Sequence, residues 1–330
     1  MNQNKIELLS PAKNLETGIA AINCGADAVY IGAPKFGARA AAGNSIADIA
    51  KLVLYAHNFF AKVYVTINTL LFDNELEEAR KTVDELYLSG VDAIIFQDMA
   101  LLEMDLPPIP LFASTQTHNY KLERIKFLDQ LGINRIILAR ELSLEQIKEI
   151  RQNTSAELEF FVHGALCVCL SGQCYLSHAL TGRSANRGEC AQPCRMKYTL
   201  TDKSGKVIVK DKYLLSLKDL NLSEHLNKLI SAGISSFKIE GRLKDAAYVK
   251  NITAYYRTLI DDILENKTVY KRASSGKSLF TFSPDPNKTF NRGYTEYFLT
   301  DHEKSRANID TPKSMGEFLG SIKKLTSNFF

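Results

Sequence analysis

Short apolar runs alternate with amphipathic stretches along most of this chain. Four segments share one pattern, in which a helix end is followed by a glycine, two residues and an apolar run. Glycine at a helix C-terminus followed directly by a β-rich run is typical of the αβ loop of a parallel α/β fold. Recurrence of this unit indicates a repeated βα architecture. The four segments are CGADAVYIG (24–32), SGVDAIIFQD (89–98), LGINRIILAR (131–140) and AGISSFKIEG (232–241).

Four further strand candidates lie between these units, at 6–12, 61–68, 109–115 and 158–164. They are almost continuously apolar, as expected for strands that are covered on both faces. Eight strands close a (β/α)8 barrel, so the sequence predicts an α/β, TIM-barrel-like fold. An open doubly wound sheet is the alternative, and its dinucleotide-binding form is weakened because no GxGxxG follows a strand. Helical patterns separate most of the strands, at 14–24, 45–59, 74–89, 120–131 and 143–152.

The regular spacing breaks after strand seven, where roughly seventy residues precede strand eight. We therefore predict a barrel-like catalytic domain over 1–266 that carries a Cys-rich insertion over 164–231. The insertion contains a predicted hairpin, which turns at 203–205, and a predicted helix over 219–231. Because the βα loops at the C-terminal face of a barrel build its active site, the insertion should lie over that face.

A clear helical pattern follows strand eight, over 245–266. The polar stretch 267–330 is predicted to be a small C-terminal appendage. It ends without an obvious closing element, which favours a fragment of a longer protein.

Composition narrows the class of protein only moderately. Apolar residues make up 45% and charged residues 24%, which is ordinary for a globular protein and excludes disorder or a coiled coil as a description of the whole. No apolar run approaches the ~20 residues that a membrane span needs, and the N-terminus lacks the apolar core of a signal peptide. The sequence therefore predicts a cytoplasmic protein without a membrane partner. The formal net charge of +4 neither demands nor excludes a nucleic-acid partner.

Five of the six cysteines lie between Cys167 and Cys194. A disulfide framework is unexpected in a reducing cytosol, so a metal or redox site is the better interpretation. Zinc and iron–sulfur clusters are the usual occupants of such thiolate groups, and the unequal spacing favours a cluster. Cys167 and Cys169 alternate, so on an extended segment only one of them can easily face the same metal as Cys174. Cys24 stands apart and is predicted to be a small core residue.

Two other interpretations of these cysteines stay open. They could be small buried residues without a metal. One of them could also be a nucleophile activated by His163, because a thiolate nucleophile needs a base.

Polar residues follow many of the predicted strands and should converge on one pocket at the C-terminal face, among them Gln97, Asp98 and Glu141. Several of these residues are cations, which suit an anionic small molecule or a phosphate, although any single one could instead form a surface salt bridge. We expect His163 and Glu240 to be catalytic. The residues expected to bind substrate are Lys13, Arg39, Asn68, Gln116, His118, Arg140 and Arg242.

Lysine and arginine are frequent in the insertion and after strand eight, and aromatic residues such as Tyr198, Tyr213 and Phe290 are interleaved with them. This pattern fits single-stranded RNA, whose phosphates attract cations and whose bases stack on aromatic rings. Acidic residues also occur there, so a solvated surface of mixed charge is the alternative.

Two long motifs resemble the U32 peptidase family. They are FVHGALCVCLSGQCYLSHALTGRSANRGECAQPCR (161–195) and SFKIEGRLKDAAYVKNITAYYR (236–257). The later RASSGK (272–277), FNRGYTEYF (290–298) and TPKSMGEFLG (311–320) resemble the branch of that family that contains the bacterial 23S rRNA cytidine hydroxylases.

The resemblance implies an RNA hydroxylase that forms 5-hydroxycytidine in 23S rRNA, with prephenate as an anionic co-substrate and an iron–sulfur cluster, [4Fe–4S], as cofactor. Relatives commonly carry a different residue at the position of Cys169, and Leu170 replaces an aromatic residue often found there. Zinc is the alternative metal. A collagenase-like endopeptidase, or a non-catalytic RNA-binding or assembly subunit with a protein partner, is the alternative function. By position, the implied cluster ligands are Cys167, Cys174, Cys190 and Cys194.

Overall fold

The computed structural model describes residues 3–39, 43–300, 306–316 and 320–321. Its first seven strands lie side by side, and each pairs in parallel with the next strand along the chain. All of them are mostly buried, as the continuous apolar runs predict. They are β1 (Asn4–Ala12), β2 (Ala28–Gly32), β3 (Lys62–Ile67), β4 (Ala93–Phe96), β5 (Leu111–Ala113), β6 (Arg135–Ile137) and β7 (Glu157–Gly164).

Helices connect these strands. Three of them begin at a polar cap whose side chain accepts a backbone N–H bond, namely Asn14, Ser45 and Ser143. Such caps satisfy amide groups that have no partner within the helix. The five predicted helices are present, and the short α4 was not predicted. The helices are α1 (Leu15–Asn23), α2 (Ile46–His57), α3 (Leu76–Leu88), α4 (Ala100–Glu103), α5 (Leu122–Gln130) and α6 (Leu144–Gln152).

The stretch between β7 and the last barrel strand contains α7 (Leu176–Thr181), the hairpin β8 (Tyr198–Thr201) with β9 (Val207–Lys212), β10 (Asp219–Asn221) and α8 (Leu226–Ser231). The hairpin is confirmed, with its turn where the sequence predicts it.

The predicted helix over 219–231 is wrong in its first part. β10 instead pairs antiparallel with the end of β7, where Leu220 faces Gly164. The Leu222 amide also donates to the carbonyl of Val162 at 2.9 Å. Burial of this segment against β7 thus overrides its helical pattern.

Strand β11 (Ser236–Ile239) closes the barrel, because it pairs in parallel with both β7 and β1. The predicted TIM-barrel-like α/β fold is therefore confirmed. The long helix α9 (Ala246–Glu265) follows β11 and packs against α1 and β1. Among the described helices, none combines the length and apolarity needed to cross a membrane.

Residues after α9 contact both ends of the barrel. β12 (Tyr270–Arg272) pairs with the start of β1, and β13 (Tyr294–Thr295) pairs with β10. In the RASSGK motif, Arg272 Nε donates to Asp27 at 2.8 Å, and the Ser274 hydroxyl donates to the same carboxylate at 2.6 Å. Asp27 immediately precedes β2, so this motif fastens the chain to the N-terminal end of the barrel. The division at residue 266 stays a prediction.

Charged residues also occupy the barrel interior. Arg135 contacts the carboxylates of Glu7 and Glu159, and its guanidinium lies 4.6 Å from the centre of the Phe112 ring. The Tyr64 hydroxyl donates to Glu7 at 2.6 Å. We call Glu7, Arg135 and Glu159 the Arg135 cluster. Its opposite charges are in direct contact, as buried charges generally require.

Candidate functional site

A cavity of about 70 Å³ opens where the barrel strands end, and we call it the mouth cavity. One water molecule needs about 10–15 Å³ of such volume, so the cavity has room for several water-sized groups. Its lining combines inward-facing strand residues with residues from the loops that follow. The sequence-predicted residues that line it are Arg39, Asn68, Gln116, Arg140, Glu240 and Arg242.

Arg39 reaches the mouth cavity from the loop after β2. The Ala38 amide donates to Asn68 Oδ1 at 2.9 Å, and Arg39 Nη1 donates to the carbonyl of Ala38 at 2.9 Å. Asn68 also donates to the Ser114 hydroxyl at 3.2 Å. The end of β3 therefore fixes the loop that carries Arg39.

Positive charge exceeds negative charge in the mouth cavity. Glu240 is the one carboxylate among the described residues that line it, and Arg39 Nη2 lies 3.6 Å from Glu240 Oε1. Arg140 donates to the carbonyl of Ala165 at 2.9 Å, and Arg242 donates to the Thr66 hydroxyl. Arg140 also bonds the Cys167 sulfur. The three guanidiniums together still carry more positive charge than Glu240 and Cys167 can balance, which leaves charge available for an anion. Paired, parallel hydrogen bonds from guanidinium to carboxylate are strong and directional.

The protonation states at the mouth cavity follow from these neighbours. Burial disfavours the ionised form of Glu240, but Arg39, Arg242 and Arg140 together outweigh burial and lower the pKa of this carboxyl. Burial and Glu240 raise the pKa of Tyr30 well above its usual value, so its neutral hydroxyl donates to the carbonyl of Ile239 at 2.9 Å. Glu240 is therefore ionised at neutral pH and can accept a proton but has none to give.

Five cysteines lie together beside this cavity, in the stretch 167–194 that we call the Cys segment. Cys167 itself lines the cavity, and Cys169 lies within hydrogen-bonding reach of both Cys167 and Cys174. Burial raises the pKa of Cys194, and the charges of Cys167, Cys190 and Cys174 raise it further. All five are free thiols. Across the described part of the chain, no three His, Cys, Asp or Glu side chains are arranged to hold a metal ion.

The chemistry of this donor set fits a group bound through thiolates. A hydrogen bond from Cys169 lowers the pKa of Cys167 well below its usual value, and Arg140 and Arg39 act in the same direction against burial. Thiolate is the form that binds metals. Thiols that could hold such a group therefore lie beside the cavity, and Cys167 forms part of its wall.

Contacts to the barrel hold the Cys segment over the cavity. Gly172 has a φ of 72°, and a Cβ there would lie 2.0 Å from the carbonyl oxygen of Gln116, so only glycine fits. Next to it, the Ser171 amide donates to Glu141 at 2.8 Å, and His118 Nδ1 lies 2.9 Å from the carbonyl oxygen of Ser171. Glu141 and His118 therefore position the Cys segment, and neither lines the cavity.

Two arginines reinforce this attachment. Arg195 donates to the carbonyl of Leu166 at 2.8 Å and to the Ser216 hydroxyl at 2.8 Å. Arg187 makes a two-pronged pair with Glu75, at 2.6 and 2.9 Å. These contacts join residues that are far apart in sequence. The Cys segment is thus tied to the β3–α3 loop and to the residues just after β7.

The expected convergence on the cavity is wrong for His163, Lys13 and His118. His163 is 1% exposed and points away from the cavity, with Nδ1 3.3 Å from the Tyr256 hydroxyl. Burial lowers its pKa to about 3. Lys13 is exposed beyond the end of β1. The sequence places residues at strand ends correctly, but packing against α9 decides where the His163 ring points.

Gln97 and Asp98 also lie outside the cavity lining. Asp98 accepts the amides of Leu71 at 2.8 Å and Ala100 at 2.9 Å, so it fixes local backbone. Conversely, Lys238 lines the cavity and was not predicted. A lysine within the apolar run SFKI was the signal that could have revealed it, because lysine is rarely buried without a partner.

The fold and the cavity define a (β/α)8-barrel protein with its site at the C-terminal ends of the strands. The sequence model of Peptidase family U32 matches residues 13–309, and the chain belongs to this family.

Two relatives and one solved structure illustrate the similarity. The chain is 52% identical over 328 residues to the 23S rRNA 5-hydroxycytidine C2501 synthase of Escherichia coli (strain K12), which covers 99% of this chain and 50% of that protein. It is 38% identical over 267 residues to the tRNA hydroxylation protein P1 of Bacillus subtilis (strain 168), covering 78% and 63%. The structure of the U32 peptidase Mk0906 matches with a TM-score of 0.48 and 14% identity, over 73% of this chain and 95% of that one.

The chain thus spans about half the length of the E. coli relative.

Proposed function

We propose that this chain is the catalytic part of an RNA hydroxylase that forms 5-hydroxycytidine in 23S rRNA in the cytoplasm. It would use prephenate as co-substrate and a [4Fe–4S] cluster as cofactor. The observation that carries the proposal is the mouth cavity, where three guanidiniums face one carboxylate beside a group of thiols. The 52% identity to an rRNA 5-hydroxycytidine synthase supports the reaction.

The cationic lining supports an anionic co-substrate. Prephenate carries two carboxylates. Arg242 bonds the neutral Thr66 hydroxyl, and Arg140 bonds the carbonyl of Ala165 and the Cys167 sulfur. Arg39 pairs with Glu240 at 3.6 Å, a separation that leaves guanidinium N–H groups available. A dicarboxylate would therefore neutralise charge that the fold leaves in excess. Buried, unneutralised charge is costly, so this ligand should also stabilise the folded protein.

Cys167, Cys174, Cys190 and Cys194 would hold the cluster, and zinc is the alternative occupant. The bound cluster would supply electron transfer or polarise an oxygen-bearing donor. Cys167 lines the mouth cavity, so the co-substrate would bind directly beside the cluster. This adjacency supports a joint role for the two features.

The chain's own groups would position the reactants. Arg39, Arg140 and Arg242 would orient the co-substrate, and Glu240 would hold Arg39 in place. Because the pKa of Glu240 is lowered, this carboxylate would be ionised and would have no proton to donate to the reacting base. The Cys segment, which Gly172 seats on Gln116, would help to exclude water.

A peptidase is the second candidate function, since the family's description names one. A cysteine nucleophile needs a base within hydrogen-bond reach. His163 is buried away from Cys167 against Tyr256, and its pKa is lowered to about 3. Among the residues that the structure describes, no histidine lines the mouth cavity. This geometry favours the hydroxylase.

Nucleoside mass spectrometry of rRNA and tRNA tests the proposal. Large-subunit rRNA from cells that lack this gene should contain no 5-hydroxycytidine, and the wild-type gene should restore it. A variant with Arg140→Met should restore less. An unchanged profile across rRNA and tRNA, together with altered turnover of a protein substrate, would establish the peptidase instead.

A further inference from the structure

The hairpin formed by β8 and β9 stands apart from the rest of the fold, and we call residues 198–212 the β8–β9 arm. It is a separate two-stranded sheet that pairs with no barrel strand. Its residues are exposed or half-buried, and Leu200, Val207 and Ile208 are 48%, 50% and 59% exposed. A solitary two-stranded hairpin buries little surface and is only marginally stable in water, so it adds little to the stability of the fold. The arm therefore needs another reason to project from the molecule.

The arm carries positive charge that its surroundings do not neutralise. Residues 197–213 contain five lysines against two aspartates. Lys203, Lys206 and Lys210 are exposed and form no ion pair with any residue that the structure describes. The Asp202 carboxylate is occupied within the turn, where it accepts the amides of Ser204 at 2.8 Å and Lys206 at 3.0 Å. The outer part of the arm therefore presents cations to an outside partner.

The base of the arm is fixed beside the Cys segment. The Tyr198 hydroxyl donates to the carbonyl of Pro193 at 2.8 Å, directly before Cys194. On the other strand, the Tyr213 amide donates to the carbonyl of Ile309 at 3.0 Å, and Lys212 pairs with Asp310 at 2.6 Å. From this base, five residues of extended chain project about 17 Å. A polymer with one unit at the mouth cavity would therefore have neighbouring units within reach of the arm.

We propose that the β8–β9 arm binds the sugar–phosphate backbone of single-stranded RNA next to the base that reacts, through Lys203, Lys206 and Lys210. This inference rests on the proposed function, in which RNA is the substrate. RNA fits better than a protein partner, because lysine is depleted in protein interfaces whereas phosphate contacts require cations. The hydroxyl of Thr201, exposed on the same arm, adds a hydrogen-bond donor for phosphate oxygens.

The test compares two triple variants of the full chain, each lacking three lysines. The arm variant carries Lys203→Gln, Lys206→Gln and Lys210→Gln. The control carries Lys5→Gln, Lys62→Gln and Lys271→Gln, three exposed lysines at the opposite end of the barrel. Fluorescence anisotropy with a fluorescein-labelled oligocytidine RNA would be measured over a series of salt concentrations.

The arm variant should bind this RNA roughly ten- to hundredfold more weakly at low salt. Its plot of log affinity against log salt should be shallower by about 2, because each phosphate contact on a single strand contributes about 0.7 to the slope. The control should match wild type, and all three proteins should melt at the same temperature.

Equal affinities and slopes for the arm variant and the control would overturn the role of the arm while leaving the proposed function standing. Absence of RNA binding by wild type at every salt concentration would instead overturn the proposed function. In a third outcome, the arm variant keeps full RNA affinity, and Ile208→Thr changes the molar mass of the protein in solution. That result would assign the arm to a protein contact and would also overturn the proposal.

Discussion

Two clusters of charged side chains lie one above the other inside the same barrel, and they differ in how far positive and negative charges balance. In the Arg135 cluster, one guanidinium contacts two buried carboxylates, Glu7 and Glu159. In the mouth cavity, three guanidiniums share one carboxylate, Glu240. Paired charges within a fold can serve structure alone, whereas an excess of buried charge in a cleft indicates a site for a ligand.

Strand β11 connects the two clusters. Its alternate residues point into the barrel, because side chains on a strand alternate between faces. Ser236 donates to Glu7 at 2.9 Å and belongs with the Arg135 cluster. Lys238 pairs with Glu159 at 2.7 Å and also lines the mouth cavity, so it lies between the two clusters. Two residues further on, Glu240 belongs to the cavity. The change from structural to functional charge therefore occurs within five residues, over β11 and the residue that follows it.

The largest expected effect concerns the Cys segment. Cys174→Ser or Cys190→Ser should remove iron and brown colour from protein purified without oxygen, because serine is a poor ligand for iron. Cys24 is buried at the end of α1, so Cys24→Ser should leave iron content and colour unchanged. Iron analysis and the visible absorption spectrum measure the difference. Full iron content in both Cys-segment variants would refute the ligand assignment, and a colourless wild type that contains zinc would refute the cluster.

The Arg135 cluster should respond through stability. Arg135→Met leaves Glu7 buried without its cationic partner, whereas Glu159 keeps Lys238. Loss of one member of a buried pair costs about 3–5 kcal/mol. The free energy of unfolding, measured with urea, should fall by that amount.

Arg242→Met is the matched control in the mouth cavity. Burial and the neighbouring Arg39 lower the pKa of Arg242, so the folded state already disfavours its charge. Its removal should change the free energy of unfolding by less than about 1 kcal/mol. If Arg135→Met and Arg242→Met lowered the free energy of unfolding equally, the proposed difference between the two clusters would be wrong.

His163 should make stability depend on pH. Its pKa is about 3 in the folded protein and 6.5 in the unfolded chain, so the unfolded state binds more protons between these values. Stability is therefore complete above pH 6.5 and is lost as pH falls toward 3. Lowering the pH from 7 to 5 should cost wild type about 2 kcal/mol through this group. Urea unfolding at the two pH values measures it.

His163→Phe should lack this part of the acid sensitivity, whereas His178→Gln, which changes an exposed histidine, should behave as wild type. Identical pH dependence in all three proteins would show that His163 does not contribute it.

The sequence predicted the barrel well because its pattern is local. Four strands are marked by a glycine that follows a helix and precedes an apolar run, and four by their apolar runs alone. All eight barrel strands lie where these signals place them. The direction of a side chain at a strand end is not local. His163 turns toward Tyr256 of α9, nearly a hundred residues away in sequence, and Lys13 extends into solvent. Arg39 was found because its loop follows a strand, yet its position depends on Asn68.

Calorimetric titration of prephenate tests the central claim, that the mouth cavity is a site for a dianion, most directly. Wild type should bind prephenate. Arg39→Lys, Arg140→Lys and Arg242→Lys should each bind it about ten- to hundredfold more weakly, since a hydrogen bond to a charged group contributes about 1.5–3 kcal/mol. Arg80→Lys, which alters a surface pair with Glu77, should bind as wild type does. Equal affinities in all five proteins would contradict the site, and no binding by wild type would contradict prephenate as its ligand.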